Sequence, residues 1–127
     1  MKDLENSEHS ILILDEDQDL RSVLKSFITE RFGRCKFYTS KTAQEAINIV
    51  NEVQIDVILS PLKNNVGLEL LSLCREFSLD TPVIILSGDV SVQAYEMKKH
   101  GAFAYVFKGS GEEPLFRAIR ASLCKAA

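Results

Sequence analysis

Four polar side chains follow separate apolar runs of this sequence, and together they could bind a metal ion and a phosphoryl group. Asp15 and Glu16 come directly after the first run, Ser87 after the fourth and Lys108 after the fifth. Carboxylates are the hard oxygen ligands that Mg²⁺ prefers, and a hydroxyl and a lysine can bind a phosphoryl group and neutralise its charge. Each residue alone also suits a helix N-terminus, a turn or a solvated surface. Their shared position after strand-like runs is what favours a functional site.

The apolar runs alternate with amphipathic helical patterns from residue 10 onward. Continuous apolar runs are typical of strands that are buried on both faces, and their alternation with helices predicts an α/β fold with a parallel sheet and helices on both faces. Functional sites in such sheets form beyond the carboxyl ends of the strands, so the four polar residues are expected at one edge. The predicted strands cover residues 11–14, 35–38, 57–59, 82–86 and 103–107.

Capping signals and periodicity place most of the helices. Asp17 is a candidate N-cap for the first helix, Val23 falls in its apolar stripe, and Gly33 is a candidate stop. Capping-box signatures begin at Thr42 for the second helix and at Ser110 for the fifth.

Proline and asparagine residues indicate where the third strand ends and the third helix begins. The third strand must end at Pro61, because proline has no N–H to donate to a central ladder. The third helix is expected to open at Asn64 or Asn65 with Phe77 turned inward, and the fourth to cover about residues 91–100.

The composition of the 127-residue chain fits one globular domain. Its hydrophobic fraction is 46%, and its net charge of -3 is unsuited to wrapping nucleic acid. The polar N-terminus is unlike a signal peptide, and no apolar run approaches the roughly 20 residues that span a bilayer. We therefore expect a cytoplasmic protein without nucleic-acid or membrane contacts, with a polar tail at residues 1–9 and one domain at residues 10–125.

The three cysteines are widely spaced and form no Cys-x-x-Cys pair. A disulfide framework or a zinc site is therefore not expected. Cys35, Cys74 and Cys124 are predicted to be small buried hydrophobic residues in a reducing compartment.

Four segments of the sequence resemble the response-regulator receiver domains of two-component signalling. Residues 11–17, 67–71, 81–88 and 101–108 resemble the family's acidic turn, the start of its third helix, its fourth strand and its last helix-to-strand passage. They occur in the family's order over nearly the whole chain. The resemblance implies a flavodoxin-like (CheY-like) five-stranded parallel sheet with strand order 2-1-3-4-5.

The same resemblance implies roles for individual residues. Asp15 and Glu16 would occupy the acidic-pair positions that hold Mg²⁺, and Ser87 would be the hydroxyl that binds the phosphoryl group. Lys108 would be the cationic partner of that group, and Tyr105 the aromatic residue that reports the switch. Asp15, Glu16, Ser87 and Lys108 would together form a phosphorylation pocket. We interpret it as a vestigial phosphorylation pocket because the residue that would accept the phosphoryl group is missing.

The phospho-accepting aspartate of the family is replaced by Pro61. Proline can neither accept a phosphoryl group nor ligate a metal, and no Asp or Glu occurs between Asp56 and Glu69. Asp56 begins the third strand and is therefore expected at the opposite end of the sheet. Gly109 stands where the family has a proline in a cis bond, so a trans bond is expected there.

These departures predict a pseudo-receiver, which keeps the fold but is not phosphorylated on aspartate and is not an enzyme. Mg²⁺ binding at Asp15 and Glu16 is expected to be weak or absent because a carboxylate ligand is missing, and no other cofactor is predicted. Lys108 is expected to pair with Asp15 or Glu16 in a static contact.

Partner binding is expected at the face formed by the fourth helix, the fifth strand and the fifth helix, which the family uses. A homodimer through this face is equally compatible with the sequence, as is a solvated surface. The face carries Tyr95, Lys98, Lys99, Tyr105, Arg117 and Arg120.

Two other functions are compatible with the sequence. A phosphotransfer protein or small hydrolase could use Ser60 or Ser87, although neither His9 nor His100 is expected to reach the strand ends as a base. Alternatively, the vestigial pocket could bind a small regulatory molecule, whose identity nothing in the sequence indicates.

Overall fold

A computed structural model describes residues 8–61, 66–88 and 93–125, and these contain a five-stranded parallel sheet. The strand order is β2-β1-β3-β4-β5, so the predicted fold class and strand order are confirmed. The strands are β1 (His9–Leu14), β2 (Cys35–Ser40), β3 (Val57–Pro61), β4 (Val83–Ser87) and β5 (Ala104–Phe107).

Within the described residues, five α-helices connect or follow the strands, as the alternating pattern predicts. A short 3₁₀ turn, Lys108–Ser110, separates β5 from the last helix. The helices are α1 (Gln18–Phe32), α2 (Ala43–Glu52), α3 (Val66–Glu76), α4 (Gln93–Lys99) and α5 (Glu113–Lys125).

Both faces of the sheet are buried, which explains why its central strands are continuously apolar. Side chains alternate between faces along a strand. In β1, Leu12 and Leu14 therefore face α2, α3 and α4, while Ile11 and Ile13 face α1 and α5. All four are at most 1% exposed. Each fully buried aliphatic side chain of this size contributes about 1.5–3 kcal/mol to folding.

The helix ends follow the predicted signals where the chain offers a side-chain cap. Asp17 caps α1 by accepting from the N–H groups of Asp19 and Leu20 at 2.9 and 3.2 Å. Thr42 Oγ1 accepts from the Glu45 N–H at 3.1 Å, and Glu45 Oε1 accepts from the Lys41 N–H at 2.8 Å. This reciprocal capping box fixes the backbone at the start of α2.

The amino edge of the sheet holds Asp56, as expected from its place before β3. Asp56 Oδ2 accepts from the Ser10 N–H at 2.8 Å and lies 3.9 Å from Nδ1 of His9. His9 is the first residue of β1 and is buried, so the strand starts two residues before its apolar run. These groups are separated from the carboxyl edge by the length of the strands.

Three predicted placements are wrong. Val23 is 46% exposed, because the sheet covers only the α1 face that carries Leu24 and Ile28. Phe77 is 50% exposed, since α3 has ended at Glu76 before the chain turns away. Ser110 is not the cap of α5, because it ends the 3₁₀ turn and the helix begins only at Glu113.

The remaining helix-start predictions cannot be compared with the described chain. Asn64, Asn65 and Ser91 lie outside the described residues. The first described helical residues there are Val66 in α3 and Gln93 in α4.

The cysteines are free thiols, but only one is buried as predicted. Cys74 is buried, Cys35 is half-buried and Cys124 is exposed on α5. Burial raises the pKa of the Cys74 thiol and, together with Glu8 and Asp56, that of Cys35. Both remain protonated at neutral pH and pack as small hydrophobic groups.

The capping box provides a test of the fold. We expect Thr42→Ala to lower the free energy of unfolding by about 1 kcal/mol, because the Glu45 N–H loses its partner. Urea denaturation measures the change. Gln44→Ala, on the same turn and outside the box, is the control. Equal losses for the two variants would contradict a specific capping role for Thr42.

Candidate functional site

A cleft of about 290 Å³ opens at the carboxyl edge of the sheet. Its floor is formed where β1, β2 and β3 end, and α3 begins beside it. Its lining consists of Leu14, Asp15, Glu16, Asp17, Lys41, Pro61 and Val66. The structure thus brings the two predicted acidic residues and the proline of the missing acceptor into one concave site.

The acidic turn is held rigidly by backbone hydrogen bonds. The Asp15 N–H continues the β1–β2 ladder by donating to the Ser40 carbonyl at 3.0 Å. Asp15 Oδ1 accepts from the Asp17 N–H at 2.9 Å, and the Arg21 guanidinium donates to the Asp15 carbonyl oxygen. One carboxylate oxygen of Asp15 and the cap of α1 are therefore already committed within the turn.

Pro61 ends β3 inside the cleft. It pairs in register with Leu86 of β4 and is half-buried. Its neighbour Ser60 is fully buried, and Ser60 Oγ donates to the Pro61 carbonyl at 3.0 Å. Because the cleft is bordered here by a pyrrolidine ring, the end of β3 contributes no carboxylate to it.

Ser87 and Lys108 lie at the same edge but do not line the cleft. Ser87 is the last residue of β4 and is buried, and Lys108 follows β5 and is exposed. Within the described parts of the chain, no ion pair joins Lys108 to a carboxylate. The expected contact of Lys108 with Asp15 or Glu16 is therefore not formed.

Lys41 is the residue of the cleft that sequence reasoning missed. It follows Ser40 at the end of β2, next to the Asp15–Ser40 hydrogen bond. The sequence did offer a signal for it: a lysine directly after a strand end, at the edge of the sheet that also carries the acidic turn.

The available donors do not match a divalent cation site of the receiver type. Asp15 and Glu16 offer carboxylate oxygens, but one oxygen of Asp15 is engaged and Asp17 caps α1. Among the described residues, no group of three or more His, Cys, Asp or Glu side chains is arranged to hold a metal ion. Mg²⁺ usually needs several oxygen ligands in near-octahedral geometry.

The face formed by α4, β5 and α5 carries several of the expected residues. Lys98, Lys99 and Arg117 are exposed, and Tyr105 is half-buried against the core. The side chain of Tyr95 lies outside the described part of the structure. Arg120 instead stacks over the ring of Phe32 on α1, with its guanidinium carbon 5.9 Å from the ring centroid. Its side chain therefore reaches toward α1 rather than toward α4.

The family model of the response regulator receiver domain matches residues 11–120. The chain belongs to this family. The fold and family that the sequence resemblance implied are therefore confirmed. Receiver domains are the signalling modules of two-component systems. The match begins within β1 at Ile11 and ends within α5 at Arg120, so it includes β2 to β5 in full.

Named relatives agree with this assignment. The nitrate/nitrite response regulator protein NarP of Escherichia coli (strain K12) is 30% identical over 114 residues, which are 87% of this chain and 53% of that protein. The chain thus spans about half the length of the curated relative that it matches.

Solved structures give the same fold. The receiver domain of the Francisella response regulator 1452 superposes with a TM-score of 0.82 at 24% identity, covering 94% of this chain and all of that one. The beryllofluoride-activated NtrC4 receiver domain dimer gives a TM-score of 0.78 at 25% identity, covering 93% and 98% of the two chains. In the described parts of this receiver, no helix is long and apolar enough to cross a membrane.

The receiver's last strand end is shaped by a close contact between Phe107 and Gly109. A Cβ built on Gly109 would lie 2.5 Å from Cζ and 2.6 Å from Cε2 of the Phe107 ring. Gly109 is not among the described residues with positive φ, and the Lys108–Gly109 bond is trans, as predicted. A side chain at position 109 would therefore have to displace the Phe107 ring, while the backbone conformation there places no demand for glycine.

This contact makes a double-mutant prediction. Gly109→Ala should lower the free energy of unfolding by about 1 kcal/mol, because its methyl group overlaps the Phe107 ring. In a Phe107→Val background the same change should be neutral or stabilising, since alanine restricts the unfolded chain. Urea denaturation of the wild type, the two single variants and the double variant measures the coupling energy between positions 107 and 109. An equal cost in both backgrounds would show that Phe107 is not the cause.

Proposed function

We propose that this domain is a pseudo-receiver, which acts by binding a protein and is not controlled by aspartyl phosphorylation. The observation that carries the proposal is the position of Pro61, at the carboxyl end of β3 and inside the acidic cleft. A proline ring has no nucleophilic oxygen, so no acyl phosphate can form at this position.

The neighbouring hydroxyls are poor substitutes for the missing aspartate. Ser60 is fully buried and donates its hydroxyl hydrogen to the Pro61 carbonyl. Ser87 is buried at the end of β4, and neither histidine lies at the carboxyl edge to act as its base. A nucleophilic serine normally requires such a base, which argues against an enzyme or a serine phosphotransfer protein.

The metal requirement of the family is also proposed to be lost. Two carboxylates, one of them partly engaged, give Mg²⁺ a weak site at most. The domain is proposed to need no cofactor and to act in the cytoplasm, where two-component partners occur. A small molecule held by the vestigial pocket is less well supported, because Ser87 and Lys108 do not line the cleft.

Phosphorylation is tested directly with acetyl phosphate and Mg²⁺. Intact-mass spectrometry should detect no gain of a phosphoryl group, while an active receiver treated in parallel acquires one. As a second measurement, beryllofluoride with Mg²⁺ should leave the amide NMR signals of Ser87, Tyr105 and Lys108 unchanged. A stable phosphoryl adduct, or saturable shifts at these residues, would mean that the pocket still senses the anion.

The partner is proposed to bind the α4-β5-α5 face. Lys98, Lys99 and Arg117 outnumber Glu96 among the exposed charged residues of this face, which leaves it net positive although the whole chain is negative. Tyr105, half-buried among them, supplies an aromatic group of the kind that anchors interfaces. Such a surface favours a partner with complementary negative charge.

Known receivers supply precedents for both kinds of partner. The NtrC4 receiver forms a dimer in its beryllofluoride-activated form, and the Ssk1 receiver forms a complex with the histidine phosphotransfer protein Ypd1. For this domain the positive charge argues for a different protein over a second copy, because two identical positive faces repel each other.

Sedimentation velocity tests this choice. The isolated domain should remain monomeric at micromolar concentrations and physiological salt, since its positive faces repel. If a dimer forms, Arg117→Glu on α5 should be compared with Arg34→Glu, which changes an exposed arginine before β2. If Arg117→Glu dissociates the dimer and Arg34→Glu does not, the partner at this face is a second copy of the chain and not a different protein.

A further inference from the structure

The end of α1 and the first turns of α5 are joined by five side chains that alternate between the two helices. Arg31 Nη1 on α1 donates to Glu113 Oε1 on α5 at 2.7 Å, and its guanidinium carbon lies 4.9 Å from the centroid of the Phe116 ring. The Phe116 ring meets the Phe32 ring edge to face, with 5.9 Å between the centroids and 75° between the planes. Arg120 completes the group by lying over Phe32. We call these five side chains the α1–α5 clasp.

The positions of these residues in their helices explain the arrangement. Glu113, Phe116 and Arg120 are three and four residues apart, so they lie on one face of α5. Arg31 lies in the last turn of α1 and Glu113 in the first turn of α5, where the helix dipoles favour a cation and an anion respectively. The two charges that pair are therefore also stabilised by their own helices.

Phe116 is buried against α1. Its side chain is only 5% exposed. Its neighbours Leu115 and Ile119 pack in the core between α5 and the sheet, and the Phe116 ring lies against the two α1 side chains of the clasp. Edge-to-face aromatic pairs and cation–π contacts depend on direction as well as distance. The clasp therefore gives the Phe116 ring a defined position relative to α1.

The connection from β5 to α5 leaves the direction of the helix to such contacts. After the 3₁₀ turn, the chain passes through Gly111 with a φ of 88°, in the left-handed region that favours glycine. Glycine restricts the backbone less than any other residue. The orientation of α5 is therefore set by its side-chain contacts with the core and with α1.

We propose that the α1–α5 clasp fixes the rotation of α5 about its own axis and thereby the direction in which Arg117 is presented to a partner. Arg117 follows Phe116 directly, and successive residues of a helix point about 100° apart. With Phe116 held against α1, Arg117 lies on the exposed side of α5. Phe116 and Arg31 are positioning residues, because they act through Arg117. The inference rests on the proposed function in one respect, namely that a partner binds the α4-β5-α5 face.

Amide hydrogen exchange of the whole domain, followed by NMR, tests the proposal. Arg31→Gln should quicken exchange of the amides of residues 115–120 about fivefold relative to those of β1 and β3, because it removes both the ion pair and the cation–π contact. Arg31→Lys can still pair with Glu113 but has no planar group to lie over the Phe116 ring, so its effect should be intermediate.

Residual dipolar couplings of the N–H bonds give a readout that a loss of stability alone would not move. These couplings report the orientation of each bond, so a helix that rotates changes its whole pattern. In the Arg31→Gln variant the couplings of residues 113–120 should change, while those of β1 and β3 stay as in the wild type.

Arg34→Gln is the matched control. Arg34 is an exposed arginine two residues beyond α1, and its replacement changes the net charge equally. In the described parts of the chain it takes part in no ion pair. Its replacement should leave both measurements unchanged. Glu113→Gln should have a smaller effect in the Arg31→Gln background than in the wild type, since the same ion pair is removed by either change.

Two results would overturn the proposal. One is a faster exchange that is equal in α5, β1 and β3, which would give the clasp a role in global stability alone. The other is an unchanged set of dipolar couplings in α5 of the Arg31→Gln variant. Neither measurement uses acetyl phosphate or a partner protein, so this proposal and the pseudo-receiver proposal can fail separately.

Discussion

Burial of the central sheet on both faces is the constraint on which the rest of this receiver domain depends. The central strands β1, β3 and β4, covered by α2, α3 and α4 on one side and by α1 and α5 on the other, are apolar over most of their length. Most polar side chains of the candidate site are therefore found at or just after the strand ends. Because all five strands are parallel, those residues meet at one edge. The edge holds the acidic turn, Pro61, Ser87 and Lys108.

The cleft at that edge is lined by the acidic turn and Pro61, while Ser87 and Lys108 lie outside it. Pro61 closes the end of β3 with a ring, and the Phe107 ring covers Gly109 at the end of β5. In the β4–β5 register Phe107 is the partner of Ser87, the residue that the resemblance implied as the phosphoryl-binding hydroxyl. These features lie together at the strand ends, outside the two buried faces of the sheet.

Charge at the cleft follows from the same geometry. Asp15, Glu16 and Asp17 occupy a tight turn whose backbone is held by the β1–β2 ladder and by Arg21. Three carboxylates in such a turn need a nearby positive charge, and a protein can take it from solution or from its own chain. Lys41 lines the same cleft, but among the described residues it forms no ion pair with these carboxylates.

The sequence by itself determined the elements, the strand order implied by the family resemblance, and the absence of a carboxylate after β3. These features are local: apolar runs, capping residues such as Asp17 and Thr42, and a proline can be recognised without knowing which elements touch. It did not determine the exposure of Val23 and Phe77, because periodicity gives a stripe but not how much of that stripe the sheet covers. The tertiary structure alone decided that Lys41 joins the acidic cleft, that Arg120 turns toward Phe32, and that Lys108 forms no ion pair with Asp15 or Glu16. Each of these depends on the distance and direction between residues that are far apart in the chain, which only the packing of helices on the sheet fixes.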